Sequence, residues 1–402
     1  MSPRKFEMPP DGDCTNQIDS DAVTIDSPLS IVGLGALSAL GTHVLSHQRA
    51  VMARHVPFQR LANLLGPESA HAMRPAAWIE NRALLTHRKW SPATMAALHV
   101  AREAITEAAW TPEELRDAAI VLGTSRGNAA GWLGPWPGRR PFRLMAASNT
   151  IHSEPAAAIS IEFQITGPNH VLASGCAAGL DAIGIAMMLV RCGVAPRALA
   201  VAVDLPLVPL LLDNYAASGI LSDQLVLDPY RPGTSGFIPG EGAAAMAIDR
   251  RAGRHVRLVH YGCNADACDP VGIPKDGGRT PELFHPLTDA ERIPVALCPH
   301  ATGTAVQATA DPAALVRAFS GARPTLHLLK PFTGHTIGAS GLLESVIMAS
   351  FLRDGQLPPN ARGLFAPQGF DLPEEMIAAT GPVGKLSHGM GGHNALLILT
   401  PP

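Results

Sequence analysis

Short apolar segments alternate with longer helical segments along almost the whole chain, and this alternation limits the possible folds more than any other feature. Strands are predicted at 29–34, 118–123, 169–174, 198–203 and 242–248, and then again at 256–261, 295–298, 326–329 and 395–399. The clearest predicted helices lie between them, at 91–110, 153–163, 177–190 and 338–353. Such alternation is typical of layered α/β proteins. The same alternation of strands and helices occurs twice along the chain, which predicts a duplicated α/β unit.

The composition agrees with a large, close-packed body of this kind. Hydrophobic residues make up 47% of the 402 residues and aromatic residues only 5%, so the apolar content is mostly Ala, Leu, Val and Ile. Charged residues reach 16%, against about 25% in ordinary soluble domains. The 38 glycines and 36 prolines follow no fixed period. These features exclude a disordered chain, a coiled coil and a collagen.

Charge and cysteine usage narrow the class of function. The net charge is -3 and no basic block is present, which argues against nucleic acid as a partner. The six cysteines form no CxxC pair, and Cys263 and Cys268 have no nearby second pair, so neither a zinc site nor a disulfide framework is predicted. Free cysteines are typical of a reducing compartment, and we expect a cytoplasmic protein.

Two segments raise the questions of targeting and membranes. Residues 1–27 are polar and lack the apolar core of a signal peptide, so a flexible leader is predicted. The apolar stretch 171–190 is long enough to span a membrane, but it contains Asp181 and three glycines. A buried strand, a turn and a buried helix explain it better, and no membrane span is predicted.

The sequence Ala-Ser-Gly-Cys-Ala-Ala-Gly at 173–179 is the strongest chemical feature. A strand ends, the chain turns, and a helix begins just after Cys176. The N-terminus of a helix favours a thiolate, so a lowered thiol pKa is expected there. The small neighbours leave room for a substrate. A small core residue at a tight turn explains this window equally well.

Two histidines and a lysine follow later strands. His300 opens the sequence His-Ala-Thr-Gly-Thr directly after a predicted strand, and Lys330 and His335 belong to Lys-Pro-Phe-Thr-Gly-His-Thr after another. A neutral imidazole at a strand end can donate a hydrogen bond to an oxygen that gains negative charge. A solvent-exposed loop histidine and a surface amine are the alternatives for His300 and Lys330.

A glycine-rich stretch, Ser-His-Gly-Met-Gly-Gly-His-Asn at 387–394, lies near the end of the chain. Its glycines let the backbone approach a ligand closely, and its N–H groups could complete an oxyanion hole with that of Cys176. His388 and His393 are interpreted more simply as packing or loop residues.

Taken in order, these motifs resemble condensing enzymes of the thiolase-fold superfamily, specifically elongating β-ketoacyl-[acyl carrier protein] synthases. That family has a cysteine in a small-residue elbow, a His-Gly-Thr-Gly-Thr-like motif, a lysine followed five residues later by histidine, and a Gly-Phe-Gly-Gly-like loop. The resemblance covers residues 29–399 and extends to the segments 235–243 and 355–360 and to Glu344. It implies a thiolase-like, duplicated five-layer αβαβα fold.

The resemblance also implies roles for the catalytic residues. Cys176 would take an acyl group from a carrier-protein thioester, and His300 and His335 would hold the carbonyl of malonyl-carrier protein while it loses carbon dioxide. The backbone N–H groups of Cys176 and Met390 would form the oxyanion hole. Lys330 would keep the histidines in place.

Further residues would bind the substrate or support the site. Thr302 and Thr304 would contact the phosphopantetheine arm, and Phe237, His388 and Met390 would also line the substrate site. Asp311 would pair with Lys330, and Glu344 would occupy a supporting acidic position. No metal is implied, and no cofactor other than the phosphopantetheine of the carrier protein.

The family resemblance and the repeated pattern of strands and helices together predict how the chain is divided. The leader at 1–27 is followed by an N-terminal half at 28–250 that carries the cysteine, and by a C-terminal half at 251–402 that carries the histidines and the lysine. The acyl carrier protein is the expected partner. We also expect a homodimer, or a heterodimer with a related ketosynthase-like subunit.

Three departures from the family pattern leave alternatives open. Ala301 replaces a glycine, so its methyl group could constrain the turn or narrow the pantetheine tunnel. Met390 and His388 replace aromatic residues near the acyl pocket. These changes favour a specialised polyketide or aryl-polyene pathway over primary fatty acid synthesis. The alternatives are a non-condensing acyltransferase and a chain-length-factor-like subunit, although Cys176 argues against the latter.

Overall fold

Ten strands form one sheet in the computed structural model, which describes residues 28–129, 133, 148–234, 236–287 and 293–402. The predicted leader at 1–27 and Ser235 of the segment 235–243 lie outside the described residues. The described strands are β1 (Leu29–Ser38), β2 (Gln59–Arg60), β3 (Pro75–Ala76), β4 (Ala119–Gly123), β5 (Asn169–Leu172), β6 (Arg197–Asp204), β7 (Gly242–Asp249), β8 (Arg257–Ala265), β9 (Ala296–Cys298), β10 (Thr325–Leu326), β11 (Gln356–Leu357), β12 (Ile377–Ala378), β13 (Val383–Gly389) and β14 (His393–Thr400).

The helices follow the alternation that the sequence predicts. Described α-helices are α1 (Val44–Met52), α2 (Ala62–Leu65), α3 (Pro92–Ala108), α4 (Pro112–Arg116), α5 (Glu154–Phe163), α6 (Ala178–Arg191), α7 (Pro209–Ala217), α8 (Ala305–Ala318), α9 (Lys330–Thr333) and α10 (Ser340–Arg353). Short 3-10 turns occupy Arg82–Leu85, Gly175–Ala177, Thr280–Phe284 and Ile337–Ala339. No α-helix in this described part of the chain is long and apolar enough to cross a membrane.

The two halves of the ten-stranded sheet have the same topology. The first five strands are ordered β5-β4-β6-β7-β1 and the second five β10-β9-β13-β14-β8, so each set reads 3-2-4-5-1 in chain order. The directions also repeat, with two parallel pairings followed by two antiparallel ones in each set. The predicted α/β duplication is therefore present in the sheet itself. The division between residues 250 and 251 stays a prediction.

Three hydrophobic clusters separate the layers. Alternate residues of β6 point to opposite faces, so Ala200 lies in the central cluster while Val201 lies in the cluster beneath α3 and α5. The central cluster holds α6 and α10, and a third cluster packs α8 against the outer face of the second half-sheet. Helices thus cover both outer faces and fill the space between the half-sheets, which gives five layers.

Two predicted elements differ from the structure for physical reasons. The first strand continues past Gly35 to Ser38. The glycine is there because α3 packs closely against the strand, since a Cβ on Gly35 would lie 2.1 Å from the Val100 carbonyl oxygen. The stretch 387–394 is not a free loop. It consists of the end of β13, the turn at 390–392 and the start of β14, and β13 was not predicted.

Candidate active site

Cys176 lies at the end of β5, in the 3-10 turn that leads into α6. Gly175 has a φ of 65°, in the left-handed region that favours glycine. The turn between β13 and β14 passes directly beside it, since a Cβ on Gly175 would lie 3.7 Å from the Met390 nitrogen. This places the backbone of Met390 next to the cysteine elbow, as an oxyanion hole of the two N–H groups requires.

The second half of the chain repeats this elbow without a nucleophile. The 3-10 turn Ile337–Ala339 leads into α10, which has the same length as α6 at 14 residues. Gly338 occupies the position that Cys176 occupies in the first elbow. A Cβ on Gly338 would lie 2.5 Å from the Ser125 nitrogen and 2.6 Å from Asp204 Oδ2, so only glycine fits there.

The cysteine and the two predicted histidines come together. His335 Nε2 lies 3.3 Å from Cys176 Sγ, and His335 Nδ1 lies 3.0 Å from the Ser340 hydroxyl at the start of α10. The His300 ring meets the His335 ring edge-on, with centroids 5.4 Å apart. His300 Nδ1 is buried without a hydrogen-bond partner among the described residues. The three side chains form one Cys-His-His cluster.

The thiol does not have the lowered pKa that the helix terminus predicted. Burial raises the pKa of Cys176 to about 11, although the charges of Arg126 and Lys330 oppose the increase. The loss of hydration outweighs these two positive charges, so the resting group is a neutral thiol. Thiolate formation therefore needs a proton acceptor, and His335 Nε2 is within reach.

The pKa values of the two histidines shift in the opposite direction to that of the thiol. Burial lowers the pKa of His300 and of His335 well below 6.5, and the positive charge of Lys330 lowers both further. Both imidazoles are therefore neutral near pH 7. A neutral imidazole can accept a proton on one nitrogen or donate a hydrogen bond from it.

The neutral state of both histidines predicts how the reaction rate depends on pH in the acid range. We expect decarboxylation of a malonyl thioester to keep its rate as the pH falls through 6.5, because both histidines stay uncharged there. The acid limb should appear only at lower pH. Initial rates across the pH range, with tryptophan fluorescence at each pH to confirm folding, test this expectation. Half-maximal activity at the ordinary histidine pKa would contradict it.

Lys330 is buried in an ion cluster that the sequence did not predict. Its Nζ donates to Glu344 Oε1 at 2.7 Å, and Lys385 Nζ lies 2.8 Å from Glu344 Oε2. The Cys298 thiol also lies 3.4 Å from Glu344 Oε2. Burial alone would raise the pKa of Glu344, but the two ammonium groups outweigh it and lower the pKa. One carboxylate therefore serves two buried cations.

Asp311 does not pair with Lys330, contrary to the expectation from the resemblance. Its Oδ2 accepts the Ala301 N–H at 2.8 Å and the Tyr230 hydroxyl at 3.2 Å, and its Oδ1 accepts from Gln307. Gln307 Nε2 also lies 2.8 Å from His388 Nδ1. Asp311 is a support for the loop that carries His300, and Glu344 takes the place beside the lysine.

The predicted substrate residues share one cavity with the cluster. Its volume is about 350 Å³, and it opens beside Met390, whose side chain is 46% exposed. Thr304 also caps α8 by accepting the Gln307 N–H at 3.3 Å. The predicted site residues that line this cavity are Cys176, Phe237, His300, Thr302, Thr304, His335, His388 and Met390.

Ala301 adopts a φ of 44°, a conformation that costs most residues about 1–2 kcal/mol. Its methyl group packs in the cluster beneath α8 and does not line the cavity. The turn is therefore constrained, and the tunnel is not narrowed by this residue.

Substitutions at Ala301 should separate these effects. We expect Ala301→Val to lower the free energy of unfolding by about 2 kcal/mol, because a β-branched residue is strained at positive φ. Ala301→Gly should stay within about 1 kcal/mol of wild type, since relief of strain offsets a lost buried methyl group. It should leave the KM for carrier protein unchanged. Urea unfolding and steady-state kinetics measure both, and a valine variant as stable as wild type would contradict the strain.

The structure brings in residues that sequence reasoning missed. Arg126 lies in a polar loop after β4, and Lys385 is in the unpredicted strand β13, where it resembles a surface lysine in the sequence. Gln307 follows the histidine motif closely and could have been found by its helical spacing to Asp311. Among the described residues, no cluster of metal-ligating side chains is present.

Comparisons with known proteins add to this geometry. Family models described as "Beta-ketoacyl synthase, N-terminal domain" and "Beta-ketoacyl synthase, C-terminal domain" match residues 72–253 and 287–363. The chain is 25% identical to 3-oxoacyl-[acyl-carrier-protein] synthase 2 of Staphylococcus aureus, over 92% of this chain and 99% of that one. It is 26% identical to the protein of the same name in Coxiella burnetii, over 92% of this chain and 97% of that one.

Solved structures are similar at the level of the fold. One is described as a type II PKS acyl-carrier protein in complex with its ketosynthase bound to the hexaketide, with a TM-score of 0.80, 21% identity and coverage of 93% of this chain and 99% of that chain. Another is the ishigamide ketosynthase/chain length factor, also with a TM-score of 0.80 and 21% identity, over 94% of this chain and 100% of that chain. The predicted thiolase-like, duplicated five-layer fold is confirmed.

Proposed function

This chain belongs to the β-ketoacyl synthase family, and from that premise we propose that it condenses malonyl-[acyl carrier protein] with an acyl group held on Cys176. It is a condensing enzyme of the acyltransferase class. The observation that supports the site assignment is the approach of His335 Nε2 to Cys176 Sγ at 3.3 Å, with His300 in the same cavity.

The first half-reaction moves the acyl group onto the enzyme. Cys176 Sγ attacks the thioester carbonyl as its proton passes to His335 Nε2. The bond from the carbonyl to the carrier sulfur breaks, and His335 returns the proton to that sulfur. His335 is then neutral again, with its remaining proton on Nδ1. Exchange of that proton to Nε2 gives the hydrogen-bond donor that the second half-reaction requires, and the Ser340 hydroxyl donates to the freed Nδ1. The hydroxyl of Ser340 holds the other ring nitrogen at 3.0 Å and fixes the ring.

The second half-reaction uses both histidines as hydrogen-bond donors. They hold the thioester oxygen of malonyl-carrier protein, the carboxylate leaves as carbon dioxide, and the electron pair becomes an enolate on that oxygen. The enolate carbon attacks the acyl-Cys176 carbonyl, and the bond to Sγ then breaks. The N–H groups of Cys176 and Met390 stabilise the tetrahedral oxyanion. Lys330 acts through its charge, since it keeps both imidazoles neutral.

The carrier protein delivers its phosphopantetheine arm through the opening beside Met390. Thr302 and Thr304 offer hydroxyl groups there, and their own oxygens lie 3.3 Å apart. The carrier arm is the only prosthetic group in this proposal, and the acyl carrier protein is the partner. We place the reaction in the cytoplasm, in a specialised polyketide or polyene pathway, because Ala301 and His388 depart from the family pattern.

We expect the enzyme to form a dimer through the edge of its first half-sheet. β5 is the terminal strand of the sheet, it directly precedes the nucleophile, and Asn169 and His170 on it are exposed. An unpaired edge strand is a template for pairing with a second chain. Analytical ultracentrifugation at micromolar concentration should report a dimer of this chain, or of this chain with a related subunit. A monomer in both cases would contradict the prediction.

Intact-mass analysis tests the function. The enzyme is incubated with an acyl-carrier protein, and its peptide containing Cys176 should gain the acyl mass. Addition of malonyl-carrier protein should then release carbon dioxide and a product two carbons longer. Acylation without decarboxylation would indicate a non-condensing acyltransferase. Absence of acylation would indicate a chain-length-factor-like subunit, and either result would overturn the proposal.

A further inference from the structure

The contacts along the cavity wall place its residues in a definite order. His300 touches His388 on one side and His335 on the other, with ring centroids 5.4 Å apart in both pairs. On its far side His335 meets Phe237 at 5.1 Å. The malonyl group lies between the two histidines in the proposed function. Cys176 packs against the hydrophobic cluster that contains Phe237 and Tyr215, so we expect the acyl chain on its sulfur to extend towards that side.

A positive charge lies at the end of that side. Phe237 meets the ring of Tyr215 at 5.5 Å, and Arg126 Nε donates to the Tyr215 hydroxyl at 2.8 Å. Arg126 lines the same cavity as Cys176, and its positive charge opposes the rise in the pKa of that thiol. The wall that faces the acyl chain therefore passes from aromatic groups to a guanidinium.

The loop that holds Arg126 is fixed from beneath. Asp204 is fully buried and accepts the Arg126 N–H at 2.8 Å, the Ser125 N–H at 2.9 Å and the Thr124 hydroxyl at 2.9 Å. It also accepts the Gly338 N–H at 2.7 Å, which ties the loop to the second elbow. The backbone that carries the guanidinium is thus held against the central helices before any substrate arrives.

The donors at this end outnumber the acceptors. No Asp or Glu is among the described residues that line the cavity, and the Arg126 guanidinium contacts Tyr215 through its Nε and over the ring, with its Cζ 5.2 Å from the ring centroid. Burial raises the pKa of Tyr215 to about 12, so its hydroxyl keeps its proton and is a second donor. A guanidinium in a low-polarity wall costs free energy unless an acceptor meets it. Ile220 and Ile337, which line the same cavity, supply no acceptor, and the Ser218 hydroxyl there donates to the Asn214 carbonyl oxygen.

We propose that Arg126 and Tyr215 select acyl groups whose chain carries an oxygen acceptor, a carboxylate or a ketone, over plain alkyl chains. This inference rests on the proposed function, because it concerns the acyl group that Cys176 accepts. A guanidinium binds carboxylate and carbonyl oxygens through several N–H groups at once. A site built to bond such an oxygen also rejects the analogue that lacks it.

Three six-carbon thioesters of pantetheine test the selection: hexanoyl, 5-oxohexanoyl and the half-thioester of adipic acid. Intact mass gives the rate at which each loads Cys176. Wild type should load at least one oxygenated group about 10- to 100-fold faster than hexanoyl. Arg126→Met should abolish the preference, and Arg126→Lys should keep part of it. Arg49→Met, on the exposed face of α1, is the matched control and should behave as wild type.

The outcomes distinguish a failure of this inference from a failure of the proposed function on which it rests. Equal or faster loading of hexanoyl by wild type, or a preference that survives Arg126→Met, would overturn the selection and leave the condensing function intact. Failure of all three groups and of acyl-carrier protein to load Cys176 would overturn both. Tyr215→Phe provides a second variant if Arg126→Met fails to fold, and it should reduce the preference.

Discussion

Cys176→Ala is expected to abolish acylation and to lower condensation by a factor on the order of 10⁴ or more, because in the proposed mechanism the sulfur accepts the acyl group in the first half-reaction and donates it to the enolate in the second. The fold should survive, since the residue is partly exposed to the cavity and the change removes only one atom. Intact mass with acyl-carrier protein and a condensation assay measure the effect. Decarboxylation of malonyl-carrier protein should persist at some rate, because it depends on the histidines.

The matched controls are Cys192→Ala and Cys268→Ala. Both thiols are exposed, and neither lines the cavity. Each variant should load and condense as wild type does. If Cys176→Ala still gained one acyl group, or if an exposed-cysteine variant lost it, a different thiol would be the acceptor and the proposed site would be wrong.

Glu344→Gln should cost about 3–5 kcal/mol of the free energy of unfolding at pH 7. The substitution keeps the size of the side chain but leaves Lys330 and Lys385 without their shared anion in the interior, and an unpaired buried charge is strongly destabilising. Urea unfolding measures the change. Glu68→Gln, at an exposed position, is the control and should stay within about 0.5 kcal/mol of wild type.

The pH dependence identifies the cause of this loss. Without the carboxylate, burial lowers the pKa of a lysine in the folded state below its value in the unfolded chain. The unfolded state then binds more protons between the two values, so stability rises with pH. The deficit of Glu344→Gln should therefore be smaller at pH 10 than at pH 7, and Lys385→Met in the same chain should reduce it. An equal deficit at both pH values would indicate a packing defect instead.

The sequence was most informative where a residue type, a turn and a strand end coincide. Cys176, His300 and His335 were predicted as one cluster from three separate strand ends, and the structure places His335 against both Cys176 and His300. β9 and β10 are neighbouring parallel strands, which brings the two histidine motifs together. β5 is the opposite terminal strand of the sheet, and its cysteine reaches the histidines because the 3-10 turns Gly175–Ala177 and Ile337–Ala339 pack against each other. The strand pattern likewise indicated the duplication.

The features of the site that were not predicted depend on three-dimensional contacts, which a linear sequence pattern does not contain. Lys330 has two acidic candidates, and the sequence distance to Asp311 gives no hint that α8 turns that carboxylate towards Ala301. Arg126 follows β4 in a segment whose sequence is that of an ordinary polar loop, so nothing there marks the residue as part of the site. The raised pKa of Cys176 follows from the loss of hydration around its sulfur among the packed layers, which is a property of packing.

The glycine at the second elbow fixes the stoichiometry of loading. Gly338 takes the place of the nucleophile, and the room that a thiol would need there is filled by Ser125 and Asp204. The repeated unit therefore supplies one acceptor sulfur and, from its other copy, the histidines that serve it. Each polypeptide is monovalent, so the mass gained during loading should saturate at one acyl equivalent per chain, and a dimer of two such chains should hold two.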